Sequence, residues 1–211
     1  GYCDMVSMAR PLLADAAFVQ KAREDRADEI NTCIGCNQAC LDHTFAGKIT
    51  SCLVNPRACH ETELVIVPTE AAKKIAVVGA GPAGLSFAVT AAERGHDVTL
   101  IEASGAVGGQ FNIARKIPGK EEFGETLRYF RKQLELTGVT VRLNTRAEAS
   151  ALADEGFDEI ILATGVTPRT PEIDGIDHAK TLSYLDVLRD EVPVGKTVAV
   201  IGAGGIGHDV S

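Results

Sequence analysis

Residues 74–95 read KIAVVGAGPAGLSFAVTAAERG, and this stretch decides the fold. It opens as a short apolar strand and continues as a helix that Gly95 closes. Between the strand and the helix, Gly79, Gly81 and Gly84 form a GxGxxG turn. Glycines at this spacing let the backbone turn sharply, approach a pyrophosphate closely and pack the helix against the strand. The stretch therefore predicts a dinucleotide-binding turn in an α/β domain.

The strand that follows this turn carries an acidic residue at its end. DVTLIE, residues 97–102, is apolar enough for a buried strand and finishes in Glu102, eighteen residues past Gly84. A carboxylate at this place can accept hydrogen bonds from the ribose hydroxyls of a dinucleotide. Together with the glycine turn, Glu102 makes a dinucleotide site the favoured interpretation of this domain.

Strands and helices continue to alternate along the chain. The helix EEFGETLRYFRKQLELTG has its apolar residues on one face and Gly138 as a stop, and SYLDVLRD is a short helix with Ser183 as its cap. Further strands are predicted at VTVRLN (139–144) and EIILATG (159–165). This order predicts an α/β fold with a parallel sheet and crossover helices, as in Rossmann-like domains.

A second GxGxxG motif lies near the end of the sequence. KTVAVIGAGGIG, residues 196–207, restarts the pattern of strand and turn with Gly202, Gly204 and Gly207. Two dinucleotide sites in one chain imply two dinucleotides, and a flavin reduced by a nicotinamide needs one of each. We therefore expect a flavin site at the first turn and the beginning of a nicotinamide site at the second.

Four cysteines stand close together before the α/β domain. Cys33, Cys36, Cys40 and Cys52 are separated by two, three and eleven residues. A disulfide framework is disfavoured because nothing in the sequence indicates secretion. Four thiolates suit either a tetrahedral zinc site or an iron-sulfur cluster, and the spacing alone leaves these two open. The two dinucleotide motifs favour the cluster, since such a protein has electrons to pass.

Other thiols and imidazoles in the first sixty residues are given lesser roles. Cys59 is interpreted as a buried thiol or one beside the metal ligands, and Cys3 as a core residue. Because four thiolates already complete a site, His43 and His60 are expected to have structural roles or to support the ligands.

The rest of the sequence limits which domain organisation and which class of protein are possible. Residues 1–30 predict a strand, a loop and a helix, residues 31–60 a loop-rich segment, and residues 61–73 a connector. The 211 residues are 45% apolar, enough for a core, and contain no apolar run long enough for a membrane helix. A net charge of −8 disfavours nucleic acid and anionic membranes as partners. The expected location is the cytoplasm, and both ends are expected to continue into a longer chain.

Six stretches carry a resemblance to a known family: DMVSMARPLLAD (4–15), CIGCNQACLDHTFAGKITSCLVNPRAC (33–59), VVGAGPAGLSFA (77–88), GGQFNIARKIPGKEEF (108–123), RTPEIDGID (169–177) and SYLDVLRD (183–190). Together they resemble bacterial 2,4-dienoyl-CoA reductase, an NADPH-dependent iron-sulfur flavoenzyme of the Old Yellow Enzyme-like family. Its wider relatives are enoate reductases and trimethylamine dehydrogenase. The resemblance covers essentially the whole chain, and its most specific part is the cysteine segment.

The resemblance implies a division into five parts: the last strand and helix of an FMN-binding (β/α)8 barrel at 1–30, a 4Fe-4S segment at 31–60, a linker at 61–73, the first part of an FAD domain at 74–166, and a connector with the start of an NAD(P) domain at 167–211. It also implies the residues that contact each cofactor. Ala9 and Arg10 would bind the FMN phosphate, and the four cysteines would hold the cluster. FAD would contact Ala83, Glu102, Gln110, Lys120 and Ala147 beside the first glycine turn, and NADPH would bind from Gly202, Gly204 and Gly207.

The function that the resemblance implies is reduction of an unsaturated acyl-CoA, in fatty acid β-oxidation. Electrons would pass from NADPH to FAD, singly through the cluster to FMN, and then to the substrate. The proton donors of the family precede residue 1, so this part of the chain is expected to contain no catalytic residue and to be inactive alone. Two alternatives remain: an amine dehydrogenase like the trimethylamine enzyme, and a zinc-stapled nucleotide-binding module. The sequence does not determine the oligomeric state.

Overall fold

The computed structural model describes residues 2–211 of the chain. Its strands are β1 (Lys74–Val78), β2 (Asp97–Ile101), β3 (Thr140–Arg142) and β4 (Glu159–Leu162). Its helices are α1 (Arg10–Ala14), α2 (Phe18–Arg23), α3 (Leu41–Phe45), α4 (Pro82–Glu93), α5 (Phe111–Ala114), α6 (Phe123–Thr137), α7 (Ala149–Asp154), α8 (Tyr184–Leu188) and α9 (Gly205–Asp209), with a 3₁₀ turn at Ala27–Glu29. No helix among the described residues is long and apolar enough to cross a membrane.

The four strands form one parallel sheet in the order β3-β2-β1-β4. The central strand β1 is buried because helices cover both faces: α4 and α6 pack on one side, and α7 packs on the other through Leu152. Leu85, Leu100 and Leu127 are fully buried between the sheet and the first two of these helices. The predicted α/β fold with a Rossmann-like parallel sheet is therefore confirmed.

Two helix predictions are confirmed together with their terminal residues. Helix α6 ends before Gly138, which adopts a left-handed conformation with φ of 72°. Helix α8 begins after Ser183, whose hydroxyl accepts from the Asp186 amide while the Asp186 carboxylate accepts from the Ser183 amide. This reciprocal pair is a capping box, which satisfies two backbone donors at the helix start.

Two predicted strands are absent from the described residues. Residues 2–9, expected to contain a strand, have none, and the helix expected in 16–30 is divided into α2 and the 3₁₀ turn. Residues 197–201, expected to form a strand before the second glycine turn, also form none, and Val198 and Ile201 are exposed. An apolar run becomes a strand only when a neighbouring strand accepts and donates its backbone hydrogen bonds, and neither segment has such a neighbour within residues 2–211.

The two remaining cysteines also differ from expectation. Cys3 and Cys59 are both exposed, so neither is a core or buried thiol. Cys3 lies in the segment at 2–9 that packs against no sheet. Cys59 has a φ of 64°, in the left-handed region, at the turn that leaves the cysteine segment.

Candidate cofactor sites

The first glycine turn joins β1 to α4, and its backbone requires two of the glycines. Gly79 has a φ of 102°, and a Cβ there would overlap the carbonyl oxygen of Ala163 at the end of β4. A Cβ at Gly84 would overlap the carbonyl oxygen of Gly79, because α4 packs directly on the turn. These two glycines are therefore needed for the turn to form, with or without a ligand.

The middle glycine of this turn, Gly81, faces open space. Gly81 has an extended backbone, with φ of −73° and ψ of 178°, and a Cβ there would meet no atom within 4 Å. It precedes Pro82 at the start of the twelve-residue α4, whose N-terminus has no side-chain cap. The backbone N–H groups of that first turn are thus available to an anion, and the helix dipole favours a negative charge there. The geometry fits the diphosphate of a dinucleotide.

Glu102 lies beside this turn, at the end of β2. Its carboxylate accepts one hydrogen bond from the Ala80 amide at 2.8 Å and another from the Ser104 amide at 2.8 Å. Partial burial acts to raise the pKa of Glu102, but the hydrogen bonds from the two amides outweigh it and the net effect lowers that pKa below its usual value. Glu102 therefore stays ionised at neutral pH and fixes the backbone of the turn at Ala80.

Replacing Glu102 by alanine is expected to weaken flavin retention at least about tenfold, the loss that follows when one hydrogen bond to a charged group is removed. Since the pKa is lowered in the folded protein, the carboxylate stabilises the fold above its unfolded pKa and stops doing so as the pH falls through its folded pKa. The difference in thermal stability between Glu102→Ala and the unchanged protein should therefore shrink in acid. Flavin content measures the first effect, and melting temperature against pH measures the second. The control is Glu70→Ala, in the exposed connector. Equal flavin content in both variants would contradict the ribose role.

The other residues expected at the flavin are distributed around the same end of the sheet. Ala83 is exposed in the first turn of α4, and Ala147 packs partly buried beside Ile101 at the end of β2. Gln110 is exposed; its amide donates to the Val166 carbonyl at 3.3 Å, and its oxygen accepts from the Tyr184 hydroxyl at 3.3 Å. These positions border the glycine turn but do not converge on one point.

Lys120 forms its ion pair with the segment of the second motif. Its ammonium group lies 2.6 Å from the carboxylate of Asp209, in α9. In the same way, Lys116 pairs with Glu191 at 2.8 Å. The loop around Lys120 is thus joined to the residues that follow 190 by two ion pairs, in which Glu191 is largely exposed and the other three side chains are partly exposed.

Gly108, which belongs to neither GxGxxG motif, supports the first turn. Gly108 has a φ of 127°, its amide donates to the Ala80 carbonyl at 2.7 Å, and a Cβ there would lie 2.9 Å from both methyl groups of Leu127 on α6. The sequence signal for this position is the pair of consecutive glycines at 108 and 109, because such pairs mark turns and loops.

The second glycine turn repeats the geometry of the first. Gly202 has a φ of 117°, and a Cβ at Gly207 would overlap the carbonyl oxygen of Gly202, as at Gly84 and Gly79. Gly204 lies in extended conformation just before α9, with nothing within 4 Å of its Cβ position. The turn is therefore formed although the strand expected before it is not.

All four clustered cysteines line one cavity. Cys33, Cys36, Cys40 and Cys52 face it together with apolar neighbours, and none of the four is in a disulfide. The apolar neighbours are Leu13, Ile34, Ala39, Leu53 and Val54. Residues 35 and 37, on either side of Cys36, both have φ near 60°, which turns the chain so that the first three cysteines face the same space. Burial raises the pKa of the Cys52 thiol, and the nearby Cys33 and Cys36 add to that effect.

The spacing of these thiols bears on the kind of metal centre. Among residues 2–211, no three His, Cys, Asp or Glu side chains lie close enough together to hold a single metal ion. Around one zinc ion the sulfurs lie about 2.3 Å from a common point, whereas the cysteines of a 4Fe-4S cluster bind four separate irons and stand farther apart. The four thiols share one apolar cavity, and thiolates are ligands that suit both a zinc ion and an iron-sulfur cluster.

The two ends of the cysteine segment are held together by buried polar groups that the sequence did not indicate. Asn31 is buried; its backbone amide donates to Asp15 at 2.9 Å and its side chain donates to the Val54 carbonyl at 2.7 Å. Asp15 is also buried and pairs with Lys21 at 2.6 Å. Asn31 thereby fixes the chain before Cys33 against the chain after Cys52.

Arg10 lines this cavity beside the thiols, whereas His43 and His60 are not among its lining residues. The His43 ring hydrogen-bonds the Ile49 carbonyl at 3.0 Å, and His60 lies 3.1 Å from the Glu63 carboxylate. Arg10 lines the cavity, and its exposed guanidinium donates to the side-chain oxygen of Asn37 at 2.7 Å. Its neighbour Ala9 directly precedes the short α1. Arg10 thus joins α1 to the loop that carries Cys36.

Comparisons with known proteins agree with the two glycine turns. Residues 73–211 match the family model described as pyridine nucleotide-disulphide oxidoreductase. The chain is similar to cinnamate reductase of Clostridium sporogenes, with 38% identity over 212 residues that cover 100% of this chain and 31% of that protein. It spans about a third of the length of the curated relatives it matches.

Two solved structures resemble the whole or most of the chain. A 2-naphthoyl-CoA reductase in complex with 2-naphthoyl-CoA is 38% identical, with a TM-score of 0.96 over 100% of this chain and 32% of that one. Histamine dehydrogenase from Rhizobium sp. 4-9 is 32% identical, with a TM-score of 0.75 over 82% of this chain and 26% of that one. The similarity to both structures extends beyond the residues that the family model matches.

Proposed function

Because the chain belongs to the pyridine nucleotide-disulphide oxidoreductase family, we propose that it is the electron-transferring part of a flavoprotein reductase that acts on an unsaturated acyl-CoA. The reductase would be of the NADPH-dependent 2,4-dienoyl-CoA type. It would use FAD at the first glycine turn, a nicotinamide dinucleotide at the second, and a 4Fe-4S cluster held by Cys33, Cys36, Cys40 and Cys52. FMN would lie beside Ala9 and Arg10.

The cavity lined by the four cysteines is the observation that carries this proposal. A nucleotide-binding domain alone needs no such cavity, whereas a one-electron centre explains why four free thiols share an apolar site next to it. When bound, the cluster would supply one-electron transfer between groups that exchange electrons in pairs. Side chains of this chain fix the walls of the cavity. Asn31 bonds to the Val54 carbonyl on the opposite side, and Arg10 of α1 bonds to Asn37.

The comparisons support the direction of the reaction and the class of substrate. Cinnamate reductase is named for a conjugated acid, and the 2-naphthoyl-CoA reductase was solved with a conjugated acyl-CoA. Both names describe addition of electrons to an unsaturated carbonyl compound. An unsaturated acyl-CoA is therefore the substrate class that we assign to the protein containing this chain.

The full-length protein, purified without oxygen, tests the proposal through its composition. We expect about four irons and four acid-labile sulfides per chain, since that is the content of one 4Fe-4S cluster, together with FAD and FMN. It should oxidise NADPH when a 2,4-dienoyl-CoA is added and not when a saturated acyl-CoA replaces it. Zinc without sulfide would overturn the cluster and favour the nucleotide-binding module.

An amine dehydrogenase is the second candidate, because the similarity to histamine dehydrogenase covers 82% of the chain. Such an enzyme would oxidise an amine and pass the electrons outward. The lower TM-score and identity of that structure compared with 2-naphthoyl-CoA reductase favour the reductase. Reduction of the bound flavin by an amine in the absence of NADPH would favour the dehydrogenase instead.

A further inference from the structure

One face of α6 lies against the chain that enters the cysteine segment. Lys132 pairs with the Asp28 carboxylate at 2.9 Å, and the Thr32 hydroxyl lies 3.4 Å from a carboxylate oxygen of Glu125. Between these two contacts, on the same face, stands Arg128. Residues 28–32, which we call the entry segment, are therefore attached to the nucleotide-binding domain and not only to their own loop.

Arg128 makes most of the hydrogen bonds in this attachment. One terminal nitrogen donates to the Asp28 carbonyl, and the other donates to the Ile30 carbonyl at 2.7 Å and the Thr32 hydroxyl at 3.2 Å. Its Nε donates to Glu125 at 2.7 Å, which fixes the plane of the guanidinium. A planar fork of donors suits such a set of acceptors, and the single ammonium group of a lysine does not reproduce it.

The same helix is packed against the first glycine turn. Leu127, next to Arg128, is fully buried and reaches the position above Gly108, whose amide donates to the Ala80 carbonyl within the turn. Contacts thus run without a break from the turn through Gly108 and α6 to Thr32, which precedes Cys33. Packed interiors transmit small displacements, so a shift at one end of this series moves the other end.

We propose that Arg128 is a positioning residue that sets the separation between the flavin site at the first glycine turn and the metal centre at the cysteines. This inference rests on the proposed function, because it presupposes both groups. The rate of electron transfer between two centres falls steeply with their separation. Arg128 therefore controls that rate without contacting either centre.

A purely structural role is the alternative, and the contacts distinguish the two. The Arg128–Glu125 pair by itself is a partly exposed ion pair one turn apart on a helix, and such pairs contribute little to stability. The bonds to the two carbonyls and the hydroxyl add little to the nucleotide-binding domain, since their acceptors lie outside it. Their effect is to fix the entry segment.

The test uses the full-length protein with Arg128→Gln, and Arg131→Gln as the matched control. Arg131 lies on the same helix but is exposed and faces a groove lined by Val139 and Val141. Reduction by NADPH is followed without oxygen in a stopped-flow instrument. Hydride transfer oxidises NADPH and reduces the flavin by two electrons; the next step then moves one electron, which oxidises the flavin by one and reduces the cluster by one.

In Arg128→Gln we expect unchanged iron, sulfide and flavin content, an unchanged rate of flavin reduction, and cluster reduction slowed on the order of tenfold, as small displacements of reacting groups produce. Amide hydrogen exchange at residues 30–33 should be faster than in Arg131→Gln. Arg128→Lys, which keeps the charge but not the fork, should resemble Arg128→Gln.

Equal rates of cluster reduction in Arg128→Gln and Arg131→Gln would overturn the positioning role. Loss of flavin or cluster from both Arg128 variants would also overturn it, in favour of a structural role. If the unchanged protein holds no iron and sulfide, the proposed function fails, and hydrogen exchange at residues 30–33 still decides whether Arg128 fixes the entry segment.

Discussion

Serine in place of Cys36 is expected to remove most of the iron and acid-labile sulfide from the full-length protein. Cys36 lies between two residues in left-handed conformations and lines the cavity shared with the other three thiols. A serine hydroxyl stays protonated at neutral pH and is a harder, poorer ligand for iron than a thiolate. We expect the content to fall from about four irons per chain to less than about one, since cluster assembly needs all four ligands.

The matched control for this change is Cys59→Ser. Cys59 is only seven residues beyond Cys52 in the sequence, but its thiol is exposed and outside the cavity. Its replacement should leave iron and sulfide unchanged. FAD content should be unchanged in both variants because the first glycine turn contacts none of these cysteines. Equal iron loss from the two variants would show that the cavity does not hold the cluster.

The parts of the fold that the sequence predicted are those in which neighbouring residues determine the conformation. The positive φ of Gly79, the end of α6 at Gly138 and the capping box at Ser183 are each set by residues close in the sequence. Glycine at a positive φ and a hydroxyl beside free amides have few alternative uses, so their patterns are specific.

The predicted strands that did not form depended on distant partners. Residues 2–9 and 197–201 are mostly apolar, as β1 is. However, β1 lies between β2 and β4, while these segments have no adjacent strand among the described residues. Strand formation requires a hydrogen-bonded neighbour, and an apolar pattern cannot supply one.

The candidate sites show the same division between local and distant signals. Cysteine spacing predicts a metal centre, and the four cysteines share one cavity. The side chains that shape the centre were not predicted, because Asn31 bonds to a residue 23 positions away and Arg128 to one 98 positions away. Asparagine and arginine are frequent on protein surfaces, so their types alone gave no reason to select them.

Alanine substitutions at two glycines of the first turn should distinguish an effect on FAD binding from an effect on folding. Alanine at Gly84 should destabilise the apoprotein by at least about 3 kcal/mol, because its Cβ would overlap the Gly79 carbonyl and α4 would have to move off the turn. Alanine at Gly81 should cost no more than about 1 kcal/mol, since its extended backbone suits any residue and its Cβ would meet no protein atom.

The effect on the flavin should be large in both variants, but in Gly81→Ala it should occur without loss of stability. The added methyl group would stand where the diphosphate approaches the start of α4, and a lost hydrogen bond to a charged group lowers affinity about tenfold to a hundredfold. Thermal unfolding of the flavin-free protein and titration with FAD measure the two quantities separately. Because the Gly81 methyl group can obstruct only a ligand, unchanged FAD affinity in Gly81→Ala would mean that the dinucleotide does not lie against this turn.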